Sequence, residues 1–271
     1  MDNRRVDREE TPLAGGNLSE VVRVGDTVRR PLHPWSEAVH GLLRHLEAQE
    51  FDGAPRFLGV DDHGREMLTF LAGEVGAYPL PTPMWSDEVL IGAARLLRRF
   101  HDATLGYAAP EGAEWQFAYP DPTCHEVICH NDVAPYNMVF VADSPRALID
   151  FDTAGPGPRI WDLAYAAYTV VPLASFAPRA DGATVPYESS QHAGERARRL
   201  RLLQDAYGLP MDDLLPTVGL RLEALCDVLM TRTAAGDEAY RRLVAEGHLD
   251  RYQREVAFVR RHASEWRPTA G

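Results

Sequence analysis

The chain contains no lysine. All 28 of its basic residues are arginine, so any phosphate contact falls to a guanidinium fork and not to a compact ammonium. Cysteine is almost as scarce. Cys124, Cys129 and Cys226 form no C-x-x-C pair, which excludes a disulfide framework and a thiolate zinc site. No apolar run approaches the roughly 18 residues that a membrane span needs. The opening MDNRRVDREE has no apolar stretch, so it is not read as an export signal. Residues 1–12 read as a loose tail, and a cytoplasmic location is expected. Basic charge is also in deficit. Forty acidic residues leave a formal net charge of −12, which makes nucleic acid and anionic membrane surfaces poor partners.

What is present suffices for a core. With 271 residues, 45% hydrophobic and 9% aromatic, the chain can form one large domain or two lobes. Val22, Val24, the Gly25-Asp26 turn and Val28 predict a β-hairpin. Ser36 to Glu47 predicts a helix, with Ser36 as its cap and Val39, Leu42, Leu43 and Leu46 on one face. Strands are expected at Phe57–Val60 and Glu66–Leu71 around a turn at Asp62–Gly64, which completes a small α+β lobe. Beyond it, Leu90, Ala93, Ala94, Leu97 and Phe100 recur at helical spacing, with His101 beside them as a structural histidine. Strand-like runs follow at 127–130, 138–142 and 147–151. Helices are then expected over 190–207, 216–234 and 237–266, the last interrupted near Gly247.

The informative runs are CHNDVAPYNMVF, residues 129–140, and LIDFDTAGPG, residues 148–157. Asp132 and Asn137 must lie on a loop, because Pro135 obstructs a continuous helix. Asp150 follows eighteen residues after Asp132 at the end of an apolar strand. Phosphoryl transfer to an alcohol needs this set of groups: a carboxylate to orient the acceptor hydroxyl, and oxygen ligands to hold Mg²⁺ against the nucleotide phosphates. Asp132 takes the first role, and Asn137 with Asp150 the second. In a continuing strand Asp152 would share the face of Asp150. It then reads either as a second metal or acceptor contact, or as the cap of a turn.

HNDVAPYN, IDFD and WDLA together resemble the aminoglycoside phosphotransferase and choline kinase superfamily, over about residues 13–265. The resemblance implies an α+β, two-lobed, protein-kinase-like fold with a small β-rich N-terminal lobe and a larger, mostly helical C-terminal lobe. It would divide the chain into a nucleotide-binding lobe at 13–73, with its hinge at about 66–73, and a catalytic and acceptor-binding lobe at 74–271. It also implies His130 and Asp132 as catalytic-loop residues, Asn137 and Asp150 as metal ligands, and Asp162 as a structural aspartate. Thr69 and Leu71 would lie where the hinge meets the adenine, and Gly15-Gly16 would cover the nucleotide. Taken alone, that GGN run reads as a plain turn. The implied cofactors are Mg²⁺ and ATP or GTP. The implied acceptor is a hydroxyl on a small, cationic, aminoglycoside-like molecule. A choline, amino-alcohol or sugar kinase, and a non-catalytic nucleotide- or metabolite-binding protein, are the alternatives.

The first lobe departs from that family. Where a lysine should hold the α- and β-phosphates the chain has VRRP, so Arg30 is the first choice for the clamp and Arg29 the second. Val39 or His40 stands where the clamp's partner glutamate is expected, and Glu37 is the nearest acid on that helix. Acceptor contacts are sought among Tyr165, Tyr168, the loop PLASFAPRADG and the acids Asp205, Glu223, Asp227 and Asp237.

Overall fold

A computed structural model describes residues 10–13, 21–179, 181, 183–209 and 212–267. The Gly15-Gly16 pair lies outside the described residues. Five antiparallel strands form the sheet of the first lobe: β1 (Glu10–Pro12), β2 (Val22–Val24), β3 (Thr27–Pro31), β4 (Phe57–Val60) and β5 (Arg65–Thr69), in the order β1-β2-β3-β5-β4. The expected tail is therefore shorter than residues 1–12, because Glu10–Pro12 pairs with β2. The β2–β3 hairpin turns at Gly25, whose positive φ of 62° suits a residue without a Cβ. Helix α1 (Ser36–Ala48) buries the predicted stripe of Val39, Leu42, Leu43 and Leu46. Ser36 is its first residue and not its cap, and its Oγ accepts a hydrogen bond from His33 N at 2.9 Å.

The crossover to the second lobe passes through β6 (Glu74–Val75), which pairs with β8 (Met138–Val141). Helix α2 (Asp87–Ala103) follows, its first turn capped by Ser86 Oγ, which accepts from Val89 N. Leu90, Leu97, Phe100 and His101 of α2 are fully buried, and one continuous apolar core runs from α1 through α2 to the last helices. β7 (Val127–Cys129) pairs with β10 (Gly155–Gly157), while β8 pairs with β9 (Ser144–Leu148). Helix α3 (Arg159–Val170), a short hairpin of β11 (Phe176–Pro178) and β12 (Thr184–Pro186), and α4 (Ser189–Tyr207) come next. Helices α5 (Leu214–Ala234), α6 (Glu238–Ala245) and α7 (His248–His262) complete the lobe. The expected break falls at Gly247, whose φ of 85° separates α6 from α7. Among the described residues no helix is long and apolar enough to cross a membrane.

The 147–151 strand is the main local difference from the sequence reading. β9 ends at Leu148, and Asp150 turns into the left-handed region at φ 64°, ψ 65° before one turn of 3₁₀ helix at Phe151–Thr153. Strand alternation therefore does not relate Asp150 to Asp152.

The crossover itself is held by close backbone approach. At Gly73 φ is 154°, and a Cβ there would lie 2.5 Å from the carbonyl oxygen of Phe140. Gly64, at φ 74°, has nothing within 4 Å of an added Cβ. Gly73→Ala is expected to lower unfolding stability by about 1–3 kcal/mol and Gly64→Ala by about 1 kcal/mol, measured by urea denaturation. Equal losses would show that the Gly73–Phe140 approach carries no constraint.

Candidate active site

The site is assembled on one buried carboxylate. Asp162, in the first turn of α3, is fully buried. Its Oδ2 accepts from His130 N at 2.7 Å and its Oδ1 from Asn131 N at 2.9 Å. Two successive amides aimed at one carboxylate force a sharp bend, and Asn131 takes it with φ 65°. His101 Nε2 meets Asp162 Oδ2 at 3.1 Å and His101 Nδ1 meets the Tyr207 hydroxyl at 2.7 Å, so this histidine is structural, as its place on α2 predicted. Burial opposes the Asp162 charge, but the bonds from His101 and the His130 amide hold its carboxyl below the usual carboxylate range.

The bent loop is then tied to the segment that follows β9. His130 Nε2 donates to the Ile149 carbonyl at 2.9 Å; a carbonyl only accepts, so Nε2 carries the proton. Thr153 Oγ1 donates to His130 O and Asn131 Nδ2 donates to Thr153 O, both at 2.9 Å. Ile149 N donates to Asn137 O at 2.9 Å. Residues 130–137 and 149–153 thus form one bonded unit, with His130 joining the two loops.

Within that unit Asp132 has both oxygens engaged. Tyr136 donates its hydroxyl to Oδ1 at 2.8 Å and Asn137 Nδ2 donates to Oδ2 at 2.8 Å. Burial pushes the Asp132 carboxyl up, against the lowering effect of the Tyr136 bond. Asn137 also gives Nδ2 to Asp132 O at 3.0 Å, which leaves its side-chain carbonyl as the ligand atom for a cation.

Arg30 joins this unit to the first lobe. Strand register places Arg30 opposite Glu66, and the guanidinium Nε donates to Glu66 Oε1. Its Nη1 reaches Asp150 Oδ1 at 3.0 Å and its Nη2 reaches Asp152 Oδ1 at 2.7 Å. His40 Nε2 meets the other Glu66 oxygen at 2.6 Å, with its ring stacked on Phe57 at 3.7 Å. Burial disfavours the Arg30 charge, yet the attraction of Asp152, Glu66 and Asp150 raises its pKa. Burial likewise works against the Glu66 charge, but His40 and Arg30 bring that carboxyl below its usual range. Asp152 is pushed up by burial, against the pull of Arg30, with Asp150 and Glu66 adding like charge.

The sequence choices therefore divide. Arg30 is the inward arginine; Arg29 leaves the opposite face toward Asp61 at 3.6 Å. Glu37 is solvent-exposed, and the acid that meets Arg30 is Glu66, from β5 and not from the helix. Asp150 and Asp152 do converge, on Arg30 and not on a strand face. Thr69 ends β5 with its hydroxyl accepting from Arg56 N at 2.9 Å, and Leu71 follows half-buried. The suggested acidic wall is dispersed: Asp237 caps α6, Glu223 pairs with Arg260, and Asp205 and Asp227 are exposed. Sequence reasoning missed Glu66 as a partner, and Tyr136. The available signal for Glu66 was a lone acid on the strand face that also carries buried Leu68.

One guanidinium facing three carboxylates leaves surplus negative charge, and Asp150, Asp152 and the Asn137 carbonyl are hard oxygen donors. That donor set fits Mg²⁺. A single loop–hairpin unit thus bears an aspartate, an amide and two further acids, roofed by a β-sheet with a buried cation.

A model of the phosphotransferase enzyme family matches residues 108–203. A trifolitoxin immunity protein from Rhizobium leguminosarum bv. trifolii is 38% identical over 207 residues, which cover 74% of this chain and 75% of that protein. The fold resembles that of a macrolide 2'-phosphotransferase from Brachybacterium faecium (17% identity, TM-score 0.56, 88% of this chain and 90% of that one). It also resembles a choline/ethanolamine kinase family protein from Mesorhizobium loti (17%, 0.51, 93% and 92%), and an aminoglycoside 2'-phosphotransferase in its GDP complex (14%, 0.59, 92% and 92%). The chain belongs to the family of that trifolitoxin immunity protein; one segment of it matches the phosphotransferase enzyme family, and its fold is that of the macrolide and aminoglycoside phosphotransferases and the choline/ethanolamine kinase family protein.

Asp162 carries a pH signature. The folded carboxyl ionises below its unfolded value of about 3.9, so its stabilising contribution is complete above that value and is lost as the pH falls through the lower, folded one. Asp162→Asn should be clearly less stable than wild type at pH 7, with the gap narrowing below about pH 4, as read from urea midpoints across that range. A gap independent of pH would remove the ionised carboxylate from the loop's stability.

Proposed function

We propose that the protein transfers the terminal phosphate of ATP or GTP, with Mg²⁺, to a hydroxyl of a small molecule. The observation that carries this reading is the placement of Asp132: held on both oxygens by Tyr136 and Asn137, on a loop bonded directly to the segment that carries Asp150 and Asp152. Asp132 orients the acceptor hydroxyl and takes its proton as the new O–P bond forms and the bond from the γ-phosphorus to the bridging oxygen breaks. Its raised pKa makes it a better proton acceptor than a solvated carboxylate. Asn137, Asp150 and Asp152 would hold the metal, and Arg30 would turn part of its fork to the nucleotide phosphates. Neutralisation of charge on the β- and γ-phosphates is what Mg²⁺ supplies when bound. The cytoplasm, which supplies both nucleotides, is the compartment this reading implies. The roles of Thr69 and Leu71 at the adenine, and of Gly15-Gly16 over the phosphates, and the lobe boundary near residue 73, belong to the same proposal.

A second reading draws on the curated relative. Its name describes immunity to a toxin, and a protective role here would make a toxin the acceptor, or the cargo of a protein that binds without transfer. An aminoglycoside-like polycation is the acceptor the family resemblance implies, whereas the surroundings of Asp132 favour a different one, developed below.

The test is single-turnover phosphate transfer to the best acceptor from a panel of alcohols at saturating Mg-nucleotide. Asp132→Asn preserves size and should slow transfer by about 10²-fold or more, with nucleotide affinity held within a few-fold. Transfer at the wild-type rate would remove Asp132 from the chemistry. Nucleotide binding by wild type with no transfer to any alcohol would favour the binding-protein reading.

A further inference from the structure

Five of the chain's ten tyrosines converge beside Asp132 from four separate parts of the fold. Tyr136 bonds Asp132 directly and meets the Tyr165 hydroxyl at 3.1 Å. The Tyr78 ring, 48% exposed on the crossover segment, lies 6.3 Å from that of Tyr136. The Tyr168 ring lies 6.0 Å from that of Tyr165, one turn further along α3. Tyr252, in the second turn of α7, packs half-buried against the same core, near enough that its ionised form would oppose ionisation of Tyr78, Tyr136, Tyr165 and Tyr168 alike. Tyr165 belongs to the apolar core and Tyr136, Tyr168 and Tyr252 pack against it, yet four of the five keep solvent-accessible surface, so their outer faces are open to a ligand.

The charges around this wall are equally selective. Arg251 lies over the Tyr252 ring at 5.0 Å and is solvent-exposed; it also interacts with Tyr78 and Tyr168. Arg221, buried below the loop, donates to Asn131 O and lies over the Tyr165 ring at 5.1 Å. Asp132 and Glu255 are the carboxylates that weigh most on these phenols. Asp132 is committed to the hydroxyl, and Glu255, which interacts with Tyr168, is buried with both oxygens bonded to Ser175. A polycation needs free carboxylates, and the acids that might have supplied them sit elsewhere. A quaternary ammonium suits aromatic faces but would meet the like charge of Arg251.

From this wall we infer that the acceptor is an alcohol bearing a planar apolar ring, neutral or negatively charged, which stacks on the tyrosines and turns any anionic group toward Arg251. This substrate class rests on the phosphotransferase reading. The phenol faces supply contact at low entropic cost. Burial raises the phenol pKa values, that of Tyr78 to about 12, so the hydroxyls remain donors at neutral pH.

The experiment uses three alcohols that share a benzyl ring and differ in charge: 4-(hydroxymethyl)benzoate, benzyl alcohol and 4-(aminomethyl)benzyl alcohol, with kanamycin and choline as non-aromatic cations. Affinity for the whole chain is read by ligand-observed NMR, which needs no turnover. Mg-ATP and Mg-GTP binding is measured separately, so loss of the kinase reading shows there and leaves the acceptor result intact. The benzoate should bind tightest and the aminomethyl compound weakest among the three. Tyr252→Leu should weaken all three by about three- to tenfold. Arg251→Gln should bring the benzoate down to the level of benzyl alcohol and leave benzyl alcohol unchanged. Tighter binding of kanamycin, choline or the aminomethyl compound than of the benzoate would overturn the inference. So would no saturable binding of any aromatic probe, or no effect of either substitution.

Discussion

Arg30 is the buried charge that ties the sheet of the first lobe to the segment after β9. A buried guanidinium is costly unless its charge is matched and its N–H groups are bonded. Here it bonds to one carboxylate of its own sheet and two from the segment after β9. Those last two belong to the unit that holds Asp132, so this side chain links the first lobe to the loop at 130–137, alongside the shared apolar core. Planarity makes this possible. A guanidinium presents donors in fixed directions and reaches three acids at once, whereas an ammonium is a point charge on a flexible stem.

The partner of that cation comes from an unexpected place. With Glu66 directly opposite Arg30 in the β3–β5 ladder, the pair is fixed by strand register, and α1 contributes His40 to the far side of the glutamate. The position of the Arg30–Glu66 pair therefore follows the sheet and depends less on where the helix lies. The second lobe uses the same logic on its own scale. Asp162 shapes the loop by accepting two consecutive amides, His130 carries that shape to Ile149, and the left-handed turns at Asn131 and Asp150 are held by the bonds around them.

Much of this was legible in the sequence, and the limits have physical causes. Helical stripes such as Val39-Leu42-Leu43-Leu46 and the run through Leu97 and Phe100 announce buried faces, because period 3.6 leaves few alternatives. The phosphotransferase motif was legible because loop residues of fixed spacing carry it. Glu66 was hidden because strand pairing is non-local: nothing in the sequence near residue 66 says which strand lies beside it. The end of β9 was misjudged because Ile149-Asp150-Phe151 continues a strand pattern while its backbone bonds go to the loop at 130–137. The tyrosines were unreadable as a group, since residues 78, 136, 165, 168 and 252 meet only through tertiary packing.

The phosphate-binding role proposed for Arg30 depends on its guanidinium fork. Calorimetric titration of Mg-ATP and Mg-GTP into wild type and Arg30→Lys tests it most directly, because lysine keeps the charge and supplies the residue the family normally uses. Mg²⁺-dependent binding by wild type is expected, with affinity about tenfold or more weaker in Arg30→Lys, the scale of one lost charge-assisted hydrogen bond. Equal or tighter nucleotide binding by the lysine variant, or no Mg-nucleotide binding by wild type, would contradict it.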